Sequence, residues 1–153
     1  MKLVLSALAL SLAAALSAHA ADTPTVATPT AAERLANARK AIDSKDWSRA
    51  MRELNAAARD EPRNPDVHNL LGYSYRKRAN PDLPKAMEHY RTALRLDPAH
   101  KGAHEYIGEA YLMERRPDEA EKHLAELQKI CGGTSCEEYQ DLAKAIAEYK
   151  AKN

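Results

Sequence analysis

Phenylalanine is absent from this chain, tryptophan occurs once, and glycine only five times in 153 residues. So few glycines leave little material for loops that cradle phosphate groups. β-Branched residues are few and alanine is abundant, which argues against a β-rich fold. Neither sign of charge is in excess. Lys and Arg number 23, Asp and Glu 22, for a formal net charge of +1. That balance has neither the basic footprint of a nucleic-acid binder nor the acidic excess of a solvating tail. No Ser/His/Asp arrangement, paired catalytic carboxylate or Gly-rich phosphate loop is recognisable, so no catalytic role and no cofactor is expected. At about 100–200 residues per domain, the length allows one domain. A charged fraction of 29% and a mean hydropathy of −0.61 describe a soluble chain once any targeting segment is removed.

The first twenty residues read as such a segment. Met1-Lys2 is a short positive start, Leu3 to Leu16 is apolar except for Ser6 and Ser11, and Ala18-His19-Ala20 places small residues where a signal peptidase reads. The pattern predicts a cleavable signal over 1–20, cut after Ala20. The apolar run is shorter than the roughly 20 residues that span a bilayer, and no stop-transfer charge follows it. No cysteine lies nearby to take a lipid, so no membrane anchor is expected after cleavage. The expected location is the periplasm, an oxidising compartment. Residues 21–30 hold two Pro and four Thr, and read as a flexible leader.

From Thr30 onward the signals are helical. Thr30 and Glu33 form a capping-box pair, predicting a helix over about 31–44. Asp46 caps a second over about 47–59. Pro65 opens a third to about 78. Pro84 lies in the first turn of a fourth that ends near Leu96. A fifth is expected over about 99–114 and a sixth over 117–130. Gly132-Gly133 breaks the chain, and Thr134 and Ser135, each with a Glu three residues on, start a seventh that ends near Lys150.

Internal repetition decides the architecture. Gly72 and Gly108, Leu71 and Ile107, and Tyr75 and Tyr111 are each 36 residues apart. Ala50, Ala86 and Ala120 recur at 36 and 34, followed four residues on by Leu54, Tyr90 and Leu124, and seven on by Ala57, Ala93 and Leu127. Pro62 and Pro98 follow in register. Leu71-Gly72-x-x-Tyr75 with Ala86-x-x-x-Tyr90 and Pro98, and Ile107-Gly108-x-x-Tyr111 with Ala120-x-x-x-Leu124, resemble the tetratricopeptide repeat (TPR). The resemblance implies an all-α solenoid of about three helical hairpins. Unit one spans 31–64, unit two 65–100 and unit three 101–134, with a capping helix over 135–153. Unit one departs from the pattern, with Asn37-Ala38 and Ala41 in place of Leu-Gly and Tyr. Small residues at Ala50, Gly72, Ala86, Gly108 and Ala120 would let the helices of a unit approach, beside bulky Tyr75, Tyr90, Tyr111 and Leu124. Each unit then buries its apolar face on the next.

The resemblance also implies a concave face, lined by the first helix of each unit, that binds a protein or peptide. The candidates for that groove are Arg39, Asn69, Tyr73, Arg76, Lys77, Glu105, Glu109 and Met113, placed off the packing face, with Tyr73 and Met113 offering the most contact area. Glu105 and Glu109 lie four apart, and are read as solvated rather than as an acid/base pair. Some TPR domains grip a terminal carboxylate with a clamp of Lys, Asn and Arg. The matching places here hold Leu35, Arg39, Leu70, Gly102 and Tyr106, one cation in five, so that activity is not expected.

Cys131 and Cys136 are the only cysteines and flank Gly-Gly-Thr-Ser. In an oxidising compartment they predict a disulfide that ties the capping helix to unit three, gaining about 2 kcal/mol on the chain-entropy model. His100 and His104 are four apart, but no third ligand stands at a readable spacing, so packing or surface roles are expected for the histidines and no metal. The expected function is non-enzymatic recognition of a protein or peptide. The alternatives are a self-assembling envelope scaffold, through the apolar face Tyr139, Leu142, Ala143, Ile146 and Tyr149, and, behind it, a metal carrier or thiol-redox protein.

Overall fold

The periodic apolar positions fold into seven helices, and no strand occurs among the described residues. The structure is a computed structural model that describes residues 28–153. The expected signal, and the expected leader up to residue 27, lie outside the described residues. The helices are α1 (Ala31–Asp43), α2 (Trp47–Asp60), α3 (Pro65–Lys77), α4 (Leu83–Leu96), α5 (Lys101–Met113), α6 (Pro117–Ile130) and α7 (Glu137–Lys152). No helix among the described residues is long and apolar enough to cross a membrane.

Caps set most of the helix starts. The Thr30–Glu33 capping box closes in both directions, at 2.8 and 3.2 Å. Asp46 accepts from the Arg49 amide at 2.9 Å, Asn64 from Val67 at 3.3 Å and Asp82 from Lys85 at 3.1 Å. Each satisfies an amide that has no partner inside its helix. Two starts differ from the sequence reading. Helix α5 begins at Lys101, not Ala99, because the His100 Nδ1 accepts from the Ala103 amide at 3.1 Å. Helix α7 begins at Glu137, with neither Thr134 nor Ser135 as its cap. Gly132 and Gly133, at φ 66° and 152°, direct the chain to Cys136, which occupies the cap position itself.

The helices form three antiparallel hairpins, α1/α2, α3/α4 and α5/α6, stacked in chain order. The same amide-to-carbonyl bond closes the inner turn of each: Asp46 to Ala41, Asp82 to Tyr75 and Arg116 to Tyr111, at 2.8, 3.0 and 2.9 Å. Units one and three reach it through a left-handed residue, Lys45 or Arg115. Unit two reaches it with the two extra residues around Asn80-Pro81. Helices α3 and α5 touch along one side of the stack. Helix α7 packs on α5 and α6, where the first helix of a fourth unit would lie. The apolar face proposed for self-assembly is thereby used within the chain: Leu142 and Ile146 are buried, and Tyr139 and Tyr149 pack against the same core.

Small residues set the helix separation, though not everywhere as expected. A Cβ on Gly72 would fall 2.6 Å from the buried ring of Tyr90 and 3.0 Å from the Ala86 carbonyl, so Gly72 does admit the second helix of its own unit. A Cβ on Gly108 would instead meet Leu142 of α7 at 2.6 Å. The bulky partner of Gly108 is therefore the capping helix and not Leu124, which is half-buried. The α7 helix is held further by the Cys131–Cys136 pair, whose sulfurs lie at disulfide distance with Cα atoms 6.0 Å apart, and by Lys150 on Glu121.

Gly72→Ala is expected to lower stability by about 1–3 kcal/mol through overpacking, despite a gain of about 0.5–1 kcal/mol in helix propensity. The loss should exceed that of Gly108→Ala, because a leucine tip yields more readily than a seated ring beside a carbonyl. Urea midpoints of the two variants check this, and the reverse order would count against the Gly72 contact as the tighter one. Reduction of the disulfide should cost about 2 kcal/mol, with amide protection lost first in α7.

Candidate functional site

The side of the stack formed by α1, α3, α5 and α7 gathers the buried polar side chains of Asn69, Arg76 and Glu105. At its centre the buried Tyr90 hydroxyl accepts from the Arg76 Nε at 3.2 Å. The Arg76 guanidinium is 6% exposed and lies 5.5 Å from the centroid of the Tyr73 ring and 5.6 Å from that of Tyr106. It also pairs with the Glu109 carboxylate. Burial would lower its pKa, but Tyr90 and Glu109 outweigh that and hold it above the ordinary value. A buried guanidinium with a carboxylate, a hydroxyl and two ring faces is well compensated. Trp47 and Tyr73 stand 6.3 Å apart, and Tyr73 and Tyr106 4.8 Å, which makes an aromatic strip across the groove.

Beside the strip lies a cavity of about 300 Å³, lined by Arg39 of α1, Asp66 and Asn69 of α3, Gly102 and Glu105 of α5, and Glu137, Glu138 and Asp141 of α7, among others. Asp66 takes up both neighbouring donors, Arg39 at 3.3 Å and the His100 Nε2 at 2.9 Å. Glu105 is 8% exposed and Asn69 5% exposed. Glu105 makes no hydrogen bond or ion pair among the described residues, and the Asn69 Oδ1 is buried without a partner. Burial first, and then the charges of Glu109, Asp141 and Glu138, push the Glu105 carboxyl up to about 8.

The structure thus brings Arg39, Asn69 and Glu105 to the cavity and Tyr73, Arg76 and Glu109 to the adjoining cluster, with the Lys77 Nζ 5.9 Å from the Tyr73 ring. Met113, 48% exposed at the end of α5, is not among the cavity's lining residues. The expectation that these positions stand off the packing face is corrected for Asn69, Arg76 and Glu105. Helices α3 and α5 lie close enough for their groove-facing side chains to cover one another, and α7 closes over the second. Tyr73 is half-buried for the same reason.

Sequence reasoning missed two histidine pairs. The Nδ1 atoms of His68 and His89 are 3.2 Å apart, and those of His104 and His123 2.9 Å. The Nε2 of each first-helix histidine faces a carbonyl, that of Pro62 at 2.9 Å or of Pro98 at 3.0 Å. A carbonyl only accepts, so Nε2 carries the proton on neutral His68 and His104, and the Nδ1–H of His89 and His123 donates inward. Tyr75 stacks on His89 and Tyr111 on His123. The signal was present in the sequence: His68 and His104 recur at 36 residues, and His89 and His123 at 34. Burial, and then the partner histidine, lower His89 and take His123 down to about 4. The one group at metal-ligand spacing among the described residues is Cys131, Cys136 and Glu138, and its two sulfurs are joined to each other.

Two family models, each described as tetratricopeptide repeat, match residues 35–100 and 78–146. The chain belongs to the tetratricopeptide repeat family. Among solved structures it is similar to the first TPR of Spaghetti (RPAP3) bound to the HSP90 peptide SRMEEVD, at a TM-score of 0.69 and 16% identity, over 80% of this chain and 96% of that one. It is also similar to the Yersinia enterocolitica type III secretion translocator chaperone SycD, at 0.68 and 15% over 84% and 97%. The first TPR domain of human RPAP3 follows at 0.66 and 15%, over 81% and 98%. These likenesses establish the TPR solenoid. No curated protein matches the sequence.

The titrations set a stability optimum for this TPR stack. His89 and His123 bind protons less readily folded than unfolded, so stability falls as pH drops from about 6.5 toward the His123 value of about 4. Glu105 binds its proton more tightly folded, so stability also falls as pH rises from 4.5 to about 8, at up to about 1.4 kcal/mol per pH unit. Urea unfolding across pH 4–9 is expected to show both arms. In Glu105→Gln the alkaline arm should flatten, with the variant more stable than the wild type at pH 8. A variant curve parallel to the wild type above pH 6 would refute the assignment.

Proposed function

We propose that the protein is a non-enzymatic binding module that holds a segment of a protein or peptide along the groove of α1, α3, α5 and α7. One observation carries the reading. The Trp47–Tyr73–Tyr106 strip is already ordered around the compensated Arg76, and it opens onto a cavity where the buried Asn69 Oδ1 lacks a partner. Such a surface offers aromatic area at little entropic cost beside an acceptor that gains a hydrogen-bond donor from a ligand. The similar RPAP3 domain is described with a bound peptide, and SycD as a chaperone, which supports recognition of polypeptide. The acidic peptide SRMEEVD is not carried over, because the clamp places here hold Leu35, Leu70, Gly102 and Tyr106 and the cavity is lined with carboxylates.

The expected site of action is the periplasm. The signal-like residues 1–20 and the paired cysteines support an oxidising envelope compartment. Solitary binding is favoured over self-assembly because the apolar face of α7 is spent on α5 and α6.

Capture from a periplasmic extract is expected to recover a protein whose retention depends on the strip. Tyr73→Ala should weaken binding by about 2 kcal/mol, as a central aromatic anchor does, or roughly 30-fold, with the circular dichroism spectrum unchanged. Capture indifferent to Tyr73→Ala would remove this groove as the binding surface.

A further inference from the structure

We propose that the cavity between α3, α5 and the start of α7 is a cation subsite within that groove, which takes the alkylammonium group of a lysine in the bound segment. The inference rests on the groove reading above and names the chemistry it selects. Its first support is a count of donors and acceptors. The Asn69 Oδ1 is buried here without a partner, and beside it the Glu105 carboxyl, an acceptor once its proton is lost, makes no hydrogen bond or ion pair among the described residues; both residues are more than nine-tenths buried and line the same space. Buried acceptors call for a donor, and the added carboxylates of Glu138 and Asp141 call for a positively charged one.

The second support is that the guanidinium groups at and beside the cavity are already committed. Arg76 is taken by Glu109 and Tyr90, and Arg39 by Asp66, which also accepts from the His100 Nε2. Lys144, on the turn after Asp141, forms no ion pair among the described residues, but it does not line this cavity. Glu137 and Glu138 sit in the first turn of α7, where the helix dipole already favours a negative charge. Glu105, mid-helix on α5, and Asp141, in the second turn of α7, have no such counterpart. An ammonium presents three N–H donors in tetrahedral array, without the planar fork of a guanidinium. Asn69, Glu105 and one α7 carboxylate suit that array, and the Tyr106 ring adds a face for the charge.

Proton release follows from this geometry. Glu105 faces Tyr73 and Arg76 from α3, Tyr106 and Glu109 from its own helix, and Glu138 and Asp141 from α7. Across the cavity, Arg39 and His100 are held by Asp66. An entering ammonium is the one positive charge added to this set, so it favours the ionised carboxylate and displaces its proton.

The test is an NMR titration of the purified protein at pH 7 with three probes. These are an alanine-rich nonapeptide with one central lysine, the same peptide bearing Nε-acetyllysine, and cadaverine. The lysine peptide is expected to shift the amides of Gly102, Glu105 and Asp141 and to bind at least tenfold more tightly than the acetylated one. At saturation it should lower the titration midpoint of the Glu105 carboxyl carbon. Glu105→Gln, which keeps the shape of the protonated acid, and Asp141→Asn should each remove at least most of that tenfold preference while the fold persists. Equal binding of the two peptides, or a preference unchanged in both variants, overturns the cation subsite. If that binding is nonetheless lost in Tyr73→Ala, the groove reading stands alone. Binding of cadaverine with none of the lysine peptide overturns the lysine assignment and makes a free polyamine the occupant. No binding by any probe, together with no Tyr73-dependent partner, fails both readings.

Discussion

The ring of Tyr90, seated on Gly72, joins the packing of this solenoid to its chemistry. The contact is close enough that no side chain fits between the ring and α3. It also fixes where the tyrosine hydroxyl lies. That hydroxyl receives the Arg76 Nε, and Arg76 in turn reaches across to Glu109 on α5. A missing Cβ on one helix thus decides which carboxylate of the next unit is neutralised. Glu109 obtains the guanidinium. Glu105, one turn earlier on the same helix, is left buried with no cation of its own. The asymmetry between two glutamates four residues apart comes from the crossing of α3 and α4 and not from anything local to α5.

Repetition carries more than the helix packing. The bond that closes each hairpin survives the two-residue insertion in unit two, because Asp82 still reaches the carbonyl of Tyr75. The histidine pairs are copied as complete assemblies, each with its proline carbonyl and its stacked tyrosine. They lock the first helix of a unit to the second by polar contacts where other positions use apolar ones. Unit one has no such pair, and holds α1 through the buried small residues Ala38 and Ala41 together with ion pairs from Arg34 to Glu53 and Asp60. At the other end α7 takes the place of a further first helix, and Leu142 fills the space that Gly108 leaves.

The architecture was legible in the sequence because it is written redundantly. Leu71-Gly72, Ala86, Tyr90 and their partners 34 to 36 residues on would each have been weak alone, and together they fix hairpins and stack. The groove was legible only as a list of positions. Periodicity identifies which helix face Asn69, Tyr73, Arg76 and Glu105 occupy, and those residues do converge. It does not say how deeply a neighbouring helix covers them, and so three expected surface groups proved buried. The acids of α7 could not be read from the repeat at all, since the capping helix follows no unit pattern. The second histidine of each pair was overlooked for a different reason. Its spacing was visible, but His89 and His123 stand at second-helix positions that the repeat pattern leaves unassigned.

What distinguishes this groove physically is that it holds unfavourable groups in fixed positions. A buried carboxyl without a cation and a buried amide oxygen without a donor both weigh against folding, and nothing in the hairpin packing needs either. An apolar side chain at position 105 or 69 would fill the same space with less penalty. Unsatisfied groups of this kind persist where the rest of the structure over-determines them. Here the determinants are the Arg76 cluster on one side and the disulfide-tied α7 on the other. The similar RPAP3 domain is described with a peptide rich in acidic residues. The same scaffold in this chain lines its groove with carboxylates, so the charge of that face is set by a few side chains and not by the solenoid.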